Sequence, residues 1–203
     1  TASDFIIVDP AAVDDGPTTT YEIRPYARKG DATSMGRVTA VTVRVRATAD
    51  AAPRCTVTHA EPAVAFSVGG YTGNLFHDFT DVIVPLYGTA QRYRGDVRLV
   101  VADAGSSSSS SSASWWLAKY DAVLRGLSRH PPLHLHLAKA AGEVHCFGHV
   151  VVGLRAHREL MVEPDPDRGR PDGVGMADFA RFLRRALSLP RHAPTRPAAA
   201  SSD

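Results

Sequence analysis

The chain has 203 residues, 44% of them hydrophobic and 22% charged, with a formal net charge of +2. That is length for one sizeable core, or one core with a small appendage, and too little net charge to argue for nucleic acid or an anionic membrane as a partner. No apolar run approaches the roughly 18–20 residues that span a bilayer, and Thr1 opens neither with an initiator Met nor with a signal-peptide pattern, so the chain reads as soluble and open to being a piece of something longer.

Residues 1–60 read as a β-rich, irregular N-terminal extension. DFIIVD (4–9), YEIRPYA (21–27) and VTAVTVRVR (38–46) favour strands by their β-branched content, the last also by period-two alternation. Between them, AAVDDGPTTT and RKGDATSMG are turn material. AVAFSV (63–68) is a short apolar run of buried-strand type, followed by a glycine-rich turn and a helical pattern from Asn74. On that helix Leu75, Phe79, Val82, Ile83 and Leu86 form one apolar stripe. Asn74 suits the N-cap, and Pro85 either ends the helix at Val84 or kinks it.

VRLVVAD (97–103) is a second buried strand. The serine run 106–112 reads as a mobile loop insertion. SWWLAKYDAVLRGLS (114–128) is helical, LHLHL (133–137) and EVHCFGHVVVGL (143–154) are strands, and MADFARFLRRAL (176–187) is an amphipathic helix with Met176, Phe179, Phe182, Leu183 and Leu187 on one side. Residues 190–203 are a Pro/Ala-rich linker or disordered tail. Strands alternating with helices over 61–189 predict an α/β, Rossmann-like parallel sheet with helices on both faces. Cys55 and Cys146 are as readily free as paired.

Opposite the apolar stripe stand Asn74, His77 and Asp81, with Asp78 beside them. The ordinary account is a capped helix with a solvated side, His77 and Asp81 being an i,i+4 pair. The functional account starts from position: the helix begins where a strand-to-helix loop meets the carboxyl end of a sheet, where α/β proteins bind ligands. A glycine-rich loop lets backbone approach a ligand closely. A histidine held by a carboxylate has its tautomer fixed and its basicity raised, as a general base requires. The GGxxG spacing is not the dinucleotide fingerprint.

A second cluster is histidine-rich. His134 and His136 share one face of the expected LHLHL strand, with His145, Cys146 and His149 close behind. This is a zinc site or simply a strand with one polar face. A third group, Arg155, His157 and Arg158, follows HVVVGL at an expected strand end, as an anion- or polyol-binding cluster or a solvated turn. Arg181, Arg184 and Arg185 form the solvent face of the last helix.

Five blocks carry a family resemblance: IRPYARKGD (23–31), PRCTVTHAEPAVAFSVGGYTGNLFHDFTDVIVPL (53–86), WWLAKYDAVLRGLSRH (115–130), VHCFGHVVVGLRAHREL (144–160) and MADFARFLRRALSL (176–189). In that order they resemble the plant branch of glycosyltransferase family 61, which includes xylan arabinosyltransferases and xylosyltransferases of the grass cell wall. The resemblance runs from about residue 21 nearly to the end, and GGYTGNLFHDFTD is its most specific part.

The resemblance implies an inverting transferase of the GT-B type, with two Rossmann-like halves facing across a cleft. The nucleotide sugar lies mainly on the C-terminal half and the acceptor mainly on the N-terminal half. Plant members are type II Golgi membrane proteins that move a pentose from a UDP-sugar to a xylan hydroxyl. UDP-arabinofuranose or UDP-xylose is then the donor of the complete enzyme. No cofactor is expected in this chain, and a divalent metal is left open. The partner is a xylan-type polysaccharide, without nucleic acid or membrane contact.

The chain ends in PTRPAAASSD, about where family members cross into their second half, so the expectation is the acceptor-side half alone, lumenal in the Golgi. His77 is the expected base, oriented by Asp81, with the reverse assignment open. Gly70, Tyr71, Gly73, Asn74 and Asp78 are expected to shape the acceptor site, and Arg155 and His157 to help the leaving group. The competing readings are a non-catalytic carbohydrate-binding or remnant domain, with an exposed apolar face where its other half is lost, and a zinc-dependent protein.

Overall fold

The computed structural model describes residues 3–9, 19–47, 52–103, 110–155, 158–162 and 175–190. β1 (Ser3–Val8), β2 (Thr20–Ile23) and, after the short helix α1 (Ala32–Gly36), β3 (Val41–Arg46) form a sheet in the order β1-β3-β2. β1 runs parallel to β3, and β2 antiparallel. The alternation in VTVRVR works as a pleated strand requires, with Val41 and Val43 buried and Thr42 and Arg44 half-buried.

β4 (Val57–His59) precedes β5 (Ala63–Phe66), all four residues of which are buried. Apolar side chains on both faces are what a central parallel strand needs. Helix α2 (Leu75–His77) runs without a break into a π-helical segment, Asp78–Ile83, and then into α3 (Val84–Ala90). Pro85 therefore neither ends the helix nor stands in an ordinary α-helical interior. The Val84 N–H bonds to the Phe79 carbonyl, five residues back. The register has already shifted when the chain reaches the residue that lacks an N–H.

β6 (Arg98–Val101) follows, then α4 (Ser110–Lys119) and α5 (Asp121–Leu127). The predicted single helix thus starts at Ser110, inside the serine run, and breaks at Tyr120; Ser106–Ser109 lie outside the described residues. Of LHLHL, only β7 (Leu133–His134) is extended, and α6 (Leu135–Ala140) takes the rest. LHLAKA is made of helix formers apart from its one histidine, and Gly142 follows in the left-handed region at φ +70°. EVHCFGHVVVGL is likewise two strands in different sheets, β8 (His145–Phe147) and β9 (Val150–Val152). α7 (Met176–Ala186) is the expected amphipathic helix. Phe179 and Phe182 are buried, but Met176 and Leu187, at its two ends, are exposed. The tail from residue 191 lies outside the described residues.

The central sheet has the order β7-β6-β5-β9, every pair parallel. On one face Val64, Phe66, Leu99 and Val101 pack with Ile83, Leu86, Trp116, Leu124 and Phe182 from the helices. On the other, Ala63, Ala65 and Val100 meet Phe5 of β1 and Leu135 of α6. β4 and β8 form a separate parallel pair. Cys146 of β8 is bonded to Cys55, two residues before β4, with Cα atoms 5.7 Å apart. Among the described residues, no helix is long and apolar enough to cross a membrane.

Candidate functional site

From β5 the chain steps to β6 and β7 on one side, then returns to β9 on the other. The switch point lies between β5 and β9, and a crevice outside the carboxyl ends of such strands is where open α/β sheets bind ligands. Two segments leave the sheet there: residues 67–74 after β5, and 153–155 after β9.

The first segment is anchored from below. Ser67 donates its hydroxyl to Asp103, at the end of β6, and accepts the Gly69 N–H at 2.9 Å. Asp103 also accepts the Thr39 N–H at 3.1 Å. Gly70 has φ +66°, and a Cβ there would lie 2.6 Å from the Tyr26 ring. Gly73, at φ +103°, donates its N–H to Asp78 at 2.8 Å. Asn74 is the expected N-cap: its Oδ1 accepts the Phe76 N–H at 3.0 Å.

The two aspartates do not lie on a solvated stripe. Asp78 is 0% exposed. It accepts from Trp116 Nε1 at 2.8 Å, the Tyr120 hydroxyl at 2.7 Å and Lys119 Nζ at 3.2 Å, besides Gly73. Burial first, and then the Asp78 carboxylate, push the Tyr120 phenol up, so it stays a donor. Asp81 is 3% exposed. It accepts from the Tyr26 hydroxyl at 3.1 Å, from Arg28 Nε at 3.0 Å to both oxygens, and from His77 Nδ1 at 3.0 Å. Burial, and next the Asp81 charge, push the Tyr26 phenol well above the usual range, so it too remains a neutral donor.

His77 is partly open, with 23% of its side chain exposed. The Tyr71 ring lies 4.8 Å from it and the Phe76 ring 5.3 Å, centre to centre. The Tyr71 hydroxyl reaches Asp31 at 3.3 Å, and the Arg37 guanidinium lies 5.2 Å over the Tyr71 ring. With Nδ1 committed to Asp81, the neutral imidazole carries its lone pair on Nε2. No described residue hydrogen bonds to that nitrogen. Leu75, which helical spacing puts on the apolar stripe, is exposed beside Phe76.

His77, Asp81, Tyr71 and the glycine loop are thus brought together. Arg155 stands exposed in the loop after β9, and His157 lies outside the described residues. Sequence reasoning missed Tyr26, Arg28 and Glu159. Arg28 spans the site, its Nη2 donating to Glu159 at 3.0 Å, while the Leu160 N–H donates to Thr80 at 3.2 Å. One signal for the first two was available: Tyr26 and Arg28 are two residues apart, which puts both on one side of an extended chain.

The zinc reading of the histidines does not survive the fold. His134 ends a two-residue strand and His136 sits on α6, so they share no strand face. Cys146 is spent in the disulfide. His145 Nδ1 meets His59 Nε2 at 2.8 Å and its Nε2 meets Glu143 at 2.9 Å. No three potential ligands among the described residues converge as a metal site.

A parallel sheet with an imidazole–carboxylate pair at its switch point places the chain among the open α/β proteins, whose ligand sites lie at such points. No protein-family model matches the chain. It is 42% identical over 175 residues to an alpha-1,3-arabinosyltransferase of Oryza sativa subsp. japonica, covering 86% of the chain and 27% of that relative. It is 39% identical over 177 residues to a beta-1,2-xylosyltransferase of the same plant, covering 87% and 35%. To a xylan glycosyltransferase of Arabidopsis thaliana it is 38% identical over 168 residues, covering 81% and 31%. The chain therefore spans about a third or less of these relatives' length. It belongs to the plant branch of glycosyltransferase family 61.

Proposed function

We propose that this chain forms the acceptor side of an inverting, GT-B-type glycosyltransferase that moves a pentose from UDP-arabinofuranose or UDP-xylose to a hydroxyl of a xylan-type polysaccharide, with His77 as general base and Asp81 as its orienting group. The observation that carries this assignment is the burial of Asp81. Tyr26, Arg28 and His77 all donate to a carboxylate that is 3% exposed, so no acceptor hydroxyl can reach it. His77 Nε2 is the available lone pair.

In the reaction, the acceptor oxygen attacks the anomeric carbon and gives its proton to His77 Nε2. The bond from that carbon to the diphosphate oxygen breaks with its electron pair, and UDP leaves from the opposite face. His77 Nδ1–H stays bonded to Asp81, which stabilises the imidazolium as it forms. The glycine loop and Tyr71 line the acceptor side. Arg155 and His157, with residues outside this chain, supply positive charge to the departing diphosphate. The Cys55–Cys146 bond suits an oxidising compartment and supports a lumenal place in the Golgi.

The test is calorimetric titration of the chain with xylo-oligosaccharides and with each UDP-sugar, followed by a pentose-transfer assay. Oligosaccharide binding is expected. In a protein that shows transfer, His77→Ala should lower turnover about 10²–10⁴-fold and leave acceptor affinity nearly unchanged. Turnover intact in that variant would remove His77 from the base role, and silence towards every oligosaccharide would overturn the acceptor-side reading.

A further inference from the structure

Among the described residues the large aromatic side chains that stand exposed are Tyr21, Phe76 and Trp115. Tyr21 belongs to β2, outside the central sheet. The Trp115 ring is covered by Lys119, whose Nζ lies 4.8 Å from its centre. Phe76 differs from both. It is 43% exposed, and its ring meets that of His77 at 5.3 Å and 82°. No cation and no other ring among the described residues covers it. An aromatic ring left in water forgoes the burial that such side chains ordinarily supply, and this one does so in contact with the candidate base.

The surroundings extend the apolar face. The four-residue spacing that brings His77 to Asp81 also puts Phe76 and Thr80 on one side of the helix. Thr80 Oγ1 accepts the Leu160 N–H at 3.2 Å, which brings the exposed Leu160 and Met161 to that side. Polar groups edge it, His77 on the helix and Glu159 on its bond to Arg28. A flat ring with aliphatic neighbours and polar groups at its border matches a ligand with apolar faces and a polar perimeter.

We propose that Phe76 is an acceptor-binding residue: its open face stacks on the pyranose ring that presents a hydroxyl to His77. This rests on the acceptor-side reading above. The face of an aromatic ring is electron-rich and attracts weakly positive C–H groups. In a β-linked xylopyranose every hydroxyl is equatorial and there is no hydroxymethyl arm, so both faces of the ring offer C–H groups alone. Stacking desolvates those faces and leaves the hydroxyls at the perimeter, where the imidazole stands. Tyr71, on the other side of His77, is not free for this part, because Asp31 holds its hydroxyl and Arg37 lies over its ring.

The experiment titrates the folded chain with xylotetraose, by calorimetry and by proton NMR. Intermolecular NOEs are expected between the Phe76 ring protons and the C–H protons of a bound xylose unit. Phe76→Leu keeps apolar bulk at an exposed position and removes the flat face, so affinity should fall about tenfold. Phe76→Trp should bind as the wild type does. Affinity in Phe76→Leu within about twofold of wild type overturns the proposal. Should that variant not fold, the wild-type complex decides, and a bound xylotetraose without NOEs to Phe76 overturns it. Either result leaves the acceptor-side reading standing, since the wild-type chain then still binds the oligosaccharide. Silence of the wild-type chain towards xylotetraose overturns both.

Discussion

Trp116 Nε1 donates to Oδ1 of Asp78 at 2.8 Å, joining α4 to the helix that carries His77 through a carboxylate with no solvent contact. Tyr120 and Gly73 converge on the same group. Replacing Asp78 by Ala would leave the buried Trp116 and Tyr120 donors unmatched, and a loss of about 3–5 kcal/mol is expected in urea unfolding. Lys119→Met should also lower stability, because Asp78 has no solvent contact and water cannot replace the ammonium that balances its charge.

Gly70→Ala tests the loop. Its φ of +66° disfavours a side chain, and the new Cβ would fall 2.6 Å from the Tyr26 ring. About 1–3 kcal/mol of destabilisation is expected. More telling, Tyr26 must move, which loosens its bond to Asp81. The comparison is Gly142→Ala, which shares a positive φ but has open space around it; it should strain the backbone and leave the Tyr26 signals unmoved.

At the opposite end of the sheet, His59 Nδ1 lies 3.3 Å from Glu61 and its Nε2 lies 2.8 Å from His145 Nδ1, with the ring stacked on Phe147 at 4.4 Å. Burial first, and then Arg98, hold the His59 imidazole below its ordinary range. The unfolded chain takes up this proton near pH 6.5. Below that pH the unfolded state therefore binds more protons than the folded one, so stability is full above about 6.5 and declines as pH falls towards the lower folded value. Urea midpoints measured from pH 7.5 down to 5.5 should fall, and His59→Gln should flatten that slope.

Reducing Cys55–Cys146 opens a loop with a sequence separation of 91. On chain-entropy grounds that is worth about 4–5 kcal/mol. A Cys146→Ser chain should unfold at correspondingly lower urea and show early amide exchange in β4 and β8, the pair the bond secures.

What the sequence made legible follows from burial. AVAFSV and VRLVVAD read as strands because a central parallel strand is apolar on both faces, and Asn74 read as a cap because its chemistry is local. LHLHL was ambiguous: a stretch of five with alternating histidines fits two strand residues followed by a helix as well as one strand. The roles of Asp78 and Asp81 were hidden for another reason. Helical spacing assigns them to a polar side, and the donors that take them inside, Tyr26, Arg28, Trp116 and Tyr120, come from segments whose approach no local pattern encodes.

The π-helical segment Asp78–Ile83 has a last consequence. Its i→i+5 turn fits one more residue into the helix than an α-helical path would. The meeting of His77 with Asp81 above, and of Pro85 with a helix that continues to Ala90 below, depends on how many residues lie between as well as on which they are. A one-residue deletion there would return the segment to an α-helical path with its two ends still in phase. Pro85 would then stand in an ordinary i→i−4 ladder, and the helix would break or kink at it.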